Sequence, residues 1–381
     1  MVNDTKNSNN KLAFAHRNLK SDGSFSDVRA NLSNGLQVCI DWLAFTVTDL
    51  QTVHDVSEFM GFNLVQFSQA PRGAMGYKTM YRLDGYPVSI LCDGADDMGI
   101  HVNISGSAVA HCVAAYRNKL SEPTPFDGAA LLVEDFTETA LSKFLEDILK
   151  IGHITRLDLA IDDKGKDQYF SCEDIQGYLM ADQVVSKFRK WHTDIDYKFG
   201  GEIIGYTIYM GSRKSDVFLR VYDKRLEQAA KDPEHAPDEP WTRWELELKD
   251  DRACMAAKML VQGQTMGSVI VGILSNYVRI VENDNENQSR RSVLPRWQQF
   301  IDGVKKVSLY IPPVPKTLED KRMWIDNQAL CTIIGLFLAD GGSFSFLEDK
   351  IDAGIHRMKS DMRELVLRAN PDAAEFFVPT K

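Results

Sequence analysis

Along the chain, apolar positions recur either at every second residue or at helical spacing, and the alternation between the two regimes predicts an α+β protein. Leu36–Val47 is almost continuously apolar around Asp41 and reads as a buried strand. Tyr86–Cys92 and Gly99–Ile104 read as further strands, the second closed by Ser105-Gly106. Between Thr137 and Lys150 the spacing changes. Leu141, Phe144, Leu145 and Ile148 fall at i, i+3, i+4 and i+7, with Gly152 just beyond, so a helix is expected. A strand over Ile154–Ile161 follows, then a helix over Cys172–Met180 with Ser171 and Asp174 at capping-box spacing. Two more strands flank Gly211-Ser212-Arg213-Lys214-Ser215, and another covers Trp241–Leu248. From about Asp251 the pattern is helical, interrupted at Asn283–Asn287 and Ile311–Pro315. These elements imply a polar tail over residues 1–35, an antiparallel-sheet domain with packed helices over 36–282, and a mainly helical C-terminal region over 283–381.

Three of the strands carry unusual chemistry on one face. Successive strand side chains point to opposite sides. Arg156, Asp158 and Asp162 therefore share a face of one strand, with the small Ala160 between them. Phe218, Arg220, Tyr222 and Lys224 share a face of the second, and Arg243, Glu245, Glu247 and Lys249 a face of the third. A charged strand face is commonly just the solvated side of an amphipathic sheet. Carboxylates at i and i+4 on one strand and at i and i+2 on another repel, however, unless a cation lies between them. Oxygen ligands of this kind suit a hard divalent ion, so Asp158, Asp162, Glu245 and Glu247 are the candidate ligands for Mg2+ or Mn2+.

Tyr222 adds a nucleophile to that set. Forming phenolate at neutral pH costs about 4 kcal/mol from a free pKa near 10. Arg220 and Lys224 beside it are expected to lower that cost. A metal, a tyrosine and flanking cations together suit phosphoryl transfer, and a hydrolase that used water would not need the tyrosine.

Composition narrows the alternatives. The longest apolar run, Cys331–Ala339, is too short to cross a bilayer, and no basic-then-apolar leader opens the chain. Six scattered cysteines without short pairings fit a reduced, cytoplasmic protein. No P-loop, GxGxxG, HExxH or His-x-His motif occurs. The formal charge of −10 argues against indiscriminate binding of nucleic acid, but it allows a local basic groove. Residues 286–325 hold eight Lys/Arg against four Asp/Glu, with Trp297, Phe300 and Trp324 interleaved. That stretch reads either as a DNA contact or as a basic helix face over a core.

Several stretches resemble the replication initiation factor (Rep_trans) family, the rolling-circle initiators of Gram-positive plasmids and related phages, together with relaxases of integrative conjugative elements. They are Thr155–Asp163, Tyr209–Ser215, Leu219–Lys224 with Glu227, and Trp241–Lys249, preceded by Ile40–Leu43 and His101–Gly106. The resemblance implies a metal-dependent nicking-closing enzyme that cuts one origin strand, joins its 5′-phosphate to a tyrosine and frees a 3′-hydroxyl. By the same matching Tyr222 is the nucleophile, with Arg220 and Lys224 beside it. The acidic metal site falls on Asp158, Asp162 and the Glu245/Glu247 strand, with Glu245 ahead of Glu247 as the direct ligand. Tyr209 is the rival nucleophile. Arg213, Lys214 and Arg243 are expected to touch DNA, single-stranded or extruded as a hairpin. A conjugative relaxase and a DNA-binding regulator that does not cut are the alternative functions. A host helicase and a second copy of the chain are partners left open.

Overall fold

The computed structural model describes residues 29–120, 138–302, 309 and 317–377 of the chain. Residues 1–28 of the expected tail lie outside the described residues. The end of that stretch is not tail: Arg29–Asn31 forms strand β1, paired with β2 (Gln37–Val47).

One antiparallel sheet organises residues 29–249. Its early strands after β2 are β3 (Phe67–Gln69), β4 (Thr79–Leu83), β5 (Val88–Cys92) and β6 (Ile100–Ser105). The later ones are β7 (Gly152–Lys164), β9 (Trp191–Tyr197), β10 (Ile203–Gly211), β11 (Val217–Asp223) and β12 (Trp241–Lys249). Their spatial order is β3-β4-β5-β6-β2-β7-β12-β11-β10-β9. A two-stranded sheet pairs β8 (Val184–Ser186) with β13 (Val278–Ile280). The strand expected to end at Ile161 thus runs to Lys164, and every neighbouring pair in the main sheet is antiparallel.

Helices cover one face of this sheet because the odd positions of β7 and the even positions of β12 are apolar. Leu157, Leu159 and Ile161 and their cross-strand partners Leu248, Leu246 and Trp244 are all buried. Helices α1 (Val53–Phe59) and α2 (Ala108–Leu120) accompany the first strands. The stripe expected on α3 (Glu138–Ile151) is fully buried at Leu141, Phe144, Leu145 and Ile148, which at about 1.5–3 kcal/mol each anchors this layer. The Ser171–Asp174 capping box opens α4 (Cys172–Met180) as expected. Helix α5 (Lys224–Lys231) starts directly after β11, capped by the Asp223 side chain on the Leu226 N–H, so Lys224 leaves the strand face. Helices α6 (Asp250–Val261) and α7 (Met266–Tyr277) complete the layer. Gly152 begins β7 at a point where a Cβ would stand 2.0 Å from the Thr46 carbonyl oxygen, so a side chain is excluded there.

The first compact unit extends to Ile311 rather than ending at residue 282. Its last helix, α8 (Pro295–Phe300), supplies Trp297 and Phe300, both buried. Their ring centroids lie 5.6 and 5.3 Å from Trp244 of β12, and Phe170 packs 6.0 Å from Trp297. The covering-a-core reading of this segment therefore applies at Trp297 and Phe300, and the apolar contacts take them away from DNA. The second unit, Pro312–Lys381, contains α9 (Leu318–Trp324), α10 (Leu330–Ala339), α11 (Ser345–Arg357) and α12 (Ser360–Ala369). Among the described residues, no helix is long and apolar enough to cross a membrane.

Because Trp297 fills the space beside Trp244, Trp297→Ala is expected to cost about 3–5 kcal/mol of stability, read by urea denaturation of the whole chain. Retention of full stability would mean that α8 is dispensable to the core.

Candidate active site

The sheet face opposite the helices gathers the charged positions of β7, β12 and β11 by register. Asp158 pairs with Glu247, Ala160 with Glu245 and Asp162 with Arg243. One strand further, Glu245 pairs with Arg220 and Arg243 with Tyr222. The expected convergence is therefore present for Asp158, Asp162, Glu245, Glu247, Arg220 and Tyr222. A shift in the β2–β7 register between Ile40 and Trp42 adds two residues that alternation alone cannot place. Ile40 still opposes Leu159 while Trp42 opposes Asp158, so Asp41 and Trp42 are both delivered to this side.

Arginines hold the acidic groups. Arg156 donates from Nε to Asp158 Oδ1 at 2.9 Å and from Nη2 to Oδ2 at 2.6 Å, and lies 3.1 Å from Glu247 Oε2. Arg220 pairs with Glu245 and reaches Asp158 Oδ2 at 3.5 Å. Arg243 grips Asp162 with two hydrogen bonds, 2.6 and 2.8 Å, and gives a third at 2.6 Å to Asp41. Trp241 Nε1 donates to Asp162 Oδ1 at 2.8 Å, and Lys249 Nζ sits 2.9 Å from Glu247 Oε1. The Arg156 guanidinium also lies 4.3 Å from the Trp42 ring. Asp158, Asp162, Glu245 and Glu247 are all buried, and ionised carboxylates in such a place require these partners.

The cations expected from a metal are thus supplied by guanidinium groups. Their bidentate forks occupy the oxygens of Asp158 and Asp162 that a hard ion would take. Among the described residues, no three His, Cys, Asp or Glu side chains converge as a ligand set. In this arrangement the four carboxylates fit arginine and do not fit Mg2+ or Mn2+.

Tyr222 Oη donates to Glu245 Oε2 at 3.0 Å. Burial first, then the Glu245 carboxylate, push its pKa well above the ordinary tyrosine value, against a smaller downward pull from Arg243. Arg220 is close enough to favour a phenolate at Tyr222, as expected, but its pull does not offset burial and Glu245. Arg220 is committed to Glu245 and Asp158, and Lys224 Nζ to Glu227 at 2.6 Å. Lys224 lies 5.5 Å from the tyrosine ring centroid, with its charge already paired. Burial likewise pushes Asp158 upward, opposed by the Arg156 fork that holds it and helped by Glu245 and Glu247.

The other expected contacts divide. Arg243 is almost fully buried and bonded on both sides to carboxylates, so its place is inside the face and not on DNA. Arg213 and Lys214 are exposed in the β10–β11 turn. Tyr209 is stacked between His192 at 4.7 Å and Phe218 at 5.8 Å, with the Arg213 guanidinium 5.5 Å from its ring. Three residues escaped the sequence reading. Asp41 and Trp241 bind the Arg243–Asp162 pair. Asp163, on the opposite face, accepts the Tyr169 and Phe170 N–H groups at 2.8 and 2.7 Å and so shapes the chain after β7. The Asp162-Asp163 doublet was a signal for this last role, because alternation sends its two carboxylates to opposite sides.

A match to the family model described as "Replication initiation factor" covers residues 152–348, which takes in β7 through β12 and the charged positions of β7, β11 and β12. The chain belongs to the replication initiation factor family. It is 34% identical over 204 residues to a Bacillus subtilis (strain 168) protein named as a DNA relaxase, NicK, a span of 52% of this chain and 56% of that relative. The chain thus matches just over half of that relative's length. Its fold is similar to the solved rolling circle replication initiator protein of Geobacillus stearothermophilus, with a TM-score of 0.58 and 27% identity, covering 73% of this chain and all of that one. Membership in the family agrees with the α+β architecture and with the motifs that the sequence displays.

If the guanidinium forks are what make the acidic face stable, Arg243→Gln takes the guanidinium from buried Asp162, which keeps the Trp241 N–H, and costs about 3–5 kcal/mol. Adding Asp162→Asn to that variant is expected to recover part of the loss. A double-mutant cycle by urea denaturation checks this, and simple additivity would contradict the pairing.

Proposed function

We propose that this chain cuts and rejoins one strand of DNA through a covalent 5′-phosphotyrosine at Tyr222. The observation that carries the reading is the 3.0 Å hydrogen bond from the tyrosine hydroxyl to Glu245 on a face lined by arginine. A phenol held protonated by its surroundings needs a base at the moment of attack, and Glu245 is already in place to act as one. Tyr222 Oη attacks the phosphorus as its proton passes to Glu245, and the bond from phosphorus to the 3′-oxygen breaks, the departing oxygen taking a proton from water. The 3′-hydroxyl so formed is then available to prime synthesis. For rejoining, a 3′-hydroxyl gives up its proton to water as it attacks the phosphotyrosine, the bond from phosphorus to the phenol oxygen breaks, and Glu245 returns its proton to the phenol. The aryl phosphodiester keeps the energy of the broken bond, so no nucleotide is consumed.

Arg220 sits between Glu245, the phenol's hydrogen-bond partner, and Asp158, and its Nε is buried without a hydrogen-bond partner among the described residues. That donor can meet an oxygen of the scissile phosphate and offset charge there as the reaction proceeds. The carboxylates as arranged are taken by arginines, so neutralisation of the phosphate falls to the guanidinium groups. Origin DNA, single-stranded or extruded, is the proposed substrate. The Geobacillus stearothermophilus likeness favours an initiator of rolling-circle replication, and the likeness to NicK favours a relaxase. Both use the same cut, so the chemistry does not separate them. A regulator that never cuts has no use for the Tyr222–Glu245 pair.

Single-turnover cleavage of a labelled origin-like strand, with gel detection of the protein–DNA adduct, tests the assignment. Tyr222→Phe is expected to abolish the adduct, Glu245→Gln to slow it about 10²–10⁴-fold, and Tyr209→Phe to retain it. Loss of the adduct in Tyr209→Phe with retention in Tyr222→Phe would refute it. A parallel series in EDTA measures what a metal adds.

A further inference from the structure

The β10–β11 turn borders a second basic feature, distinct in character from the tyrosine face. The chain as a whole carries a formal −10. Yet a cleft of about 520 Å3 beside Gly211 and Ser212 is lined by Lys187, Arg189, Lys190 and Arg252, and Asp216 is the one carboxylate in its lining. The contrast with the active site is in the pairing. Arg156, Arg220 and Arg243 are each bound to carboxylates. None of the four cleft cations forms an ion pair among the described residues. Lys187 Nζ instead donates to the neutral Asn276 Oδ1 at 2.8 Å and lies 5.4 Å from the Tyr277 ring. Four like charges drawn into one concavity repel one another, and among the described lining residues only Asp216 offsets them.

The cleft wall is held in place before any ligand arrives. Phe188 stacks on Tyr277 with centroids 5.3 Å apart. The Lys187 N–H donates to the Tyr277 carbonyl and the Gly211 N–H to the Lys190 carbonyl, both at 2.9 Å. Gly211 has φ +98°, and a Cβ there would come within 2.8 Å of Phe188, so glycine lets the turn close on this segment. A rigid cleft with unpaired Lys and Arg and an aromatic wall suits a sugar–phosphate backbone, which offers regularly spaced anions beside flat bases.

We propose that this cleft grips backbone phosphates of the DNA to one side of the bond cut at Tyr222. Its placement relative to the cut rests on the strand-cleavage reading above. Val217 lines the cleft and lies five residues before Tyr222 on β11. At about 3.3 Å per residue that is about 17 Å. The odd separation turns the two side chains to opposite faces of the sheet, so DNA held by both passes round the β10–β11 turn, and about 17 Å is the least that it spans.

The test is the salt dependence of binding by the full chain, using fluorescence anisotropy of a fluorescein-labelled single-stranded oligodeoxynucleotide of mixed sequence in a KCl series. Each lost phosphate contact lowers the slope of log K against log salt by about 0.7. Lys187→Gln/Arg189→Gln, both exposed positions, is expected to lower the slope by about 1.4, whereas the control Lys143→Gln/Lys258→Gln leaves it in place. An unchanged slope in the cleft variant, or an equal fall in the control, would overturn the proposal. Circular dichroism confirms that the variants are folded, and the single variant Arg189→Gln, expected to lower the slope by about 0.7, serves if the pair is not. The two readings fail separately. A wild-type chain that shows the cleft-dependent slope but forms no adduct would end the cleavage reading and keep the cleft; an adduct with no cleft-dependent slope would do the reverse.

Discussion

Burying four carboxylates on one face of a sheet is tolerable only if each finds a cation. Here the cations are the guanidinium groups of Arg156, Arg220 and Arg243, placed by the same strand registers that place the acids. Each fork neutralises charge and also fixes the orientation of the carboxylate that it holds. Asp162, bound by Arg243 and Trp241 of β12, and Arg156, which reaches Glu247 of β12, tie β7 to its neighbour across a surface that would otherwise repel itself. The helices on the opposite face supply the apolar burial that keeps this sheet in place. The ion pairs make the polar face compatible with that burial, and Tyr222 depends on both.

The consequence for chemistry is that Tyr222 rests as a phenol. Desolvation and Glu245 outweigh the nearby positive charge, so under the proposed reaction activation would come from a positioned base at the time of attack and not from a standing phenolate. Glu245, and not Glu247, is the glutamate that accepts the phenol's hydrogen bond, and Glu247 is held by Arg156 and Lys249. Membership in the replication initiation factor family places this geometry in a setting where cutting and rejoining of a strand is a natural use for it.

Much of this was legible from residue order. Two-residue alternation put Asp158, Asp162, Arg220, Tyr222, Glu245 and Glu247 on single faces of their strands, and antiparallel pairing then brought those faces together. The Ser171–Asp174 cap and the α3 stripe were equally plain, being local patterns. Three things were hidden for physical reasons. A bulge at Asp41 breaks the alternation, and nothing in Ile40-Asp41-Trp42 announces that both polar neighbours turn the same way. Lys224 looked like a continuation of the β11 face, but the Asp223 cap starts a helix there and hands its charge to Glu227. The sign of the tyrosine shift depends on burial, which a sequence of charges cannot report. Repulsion among the acids correctly demanded a cation, but the arginines that supply it stand in the same strands.

The central claim is that the oxygen which takes the DNA belongs to Tyr222. Its most direct measurement uses an origin-like strand with sulfur in place of the bridging 3′-oxygen at the cut. The thiol leaves and rejoins poorly, so the adduct accumulates and can be digested and mapped by peptide mass spectrometry. The account predicts a nucleotide 5′-phosphate on the peptide that contains Tyr222. A modification on the Tyr209 peptide, or cleavage that leaves no tyrosine modified, would contradict it.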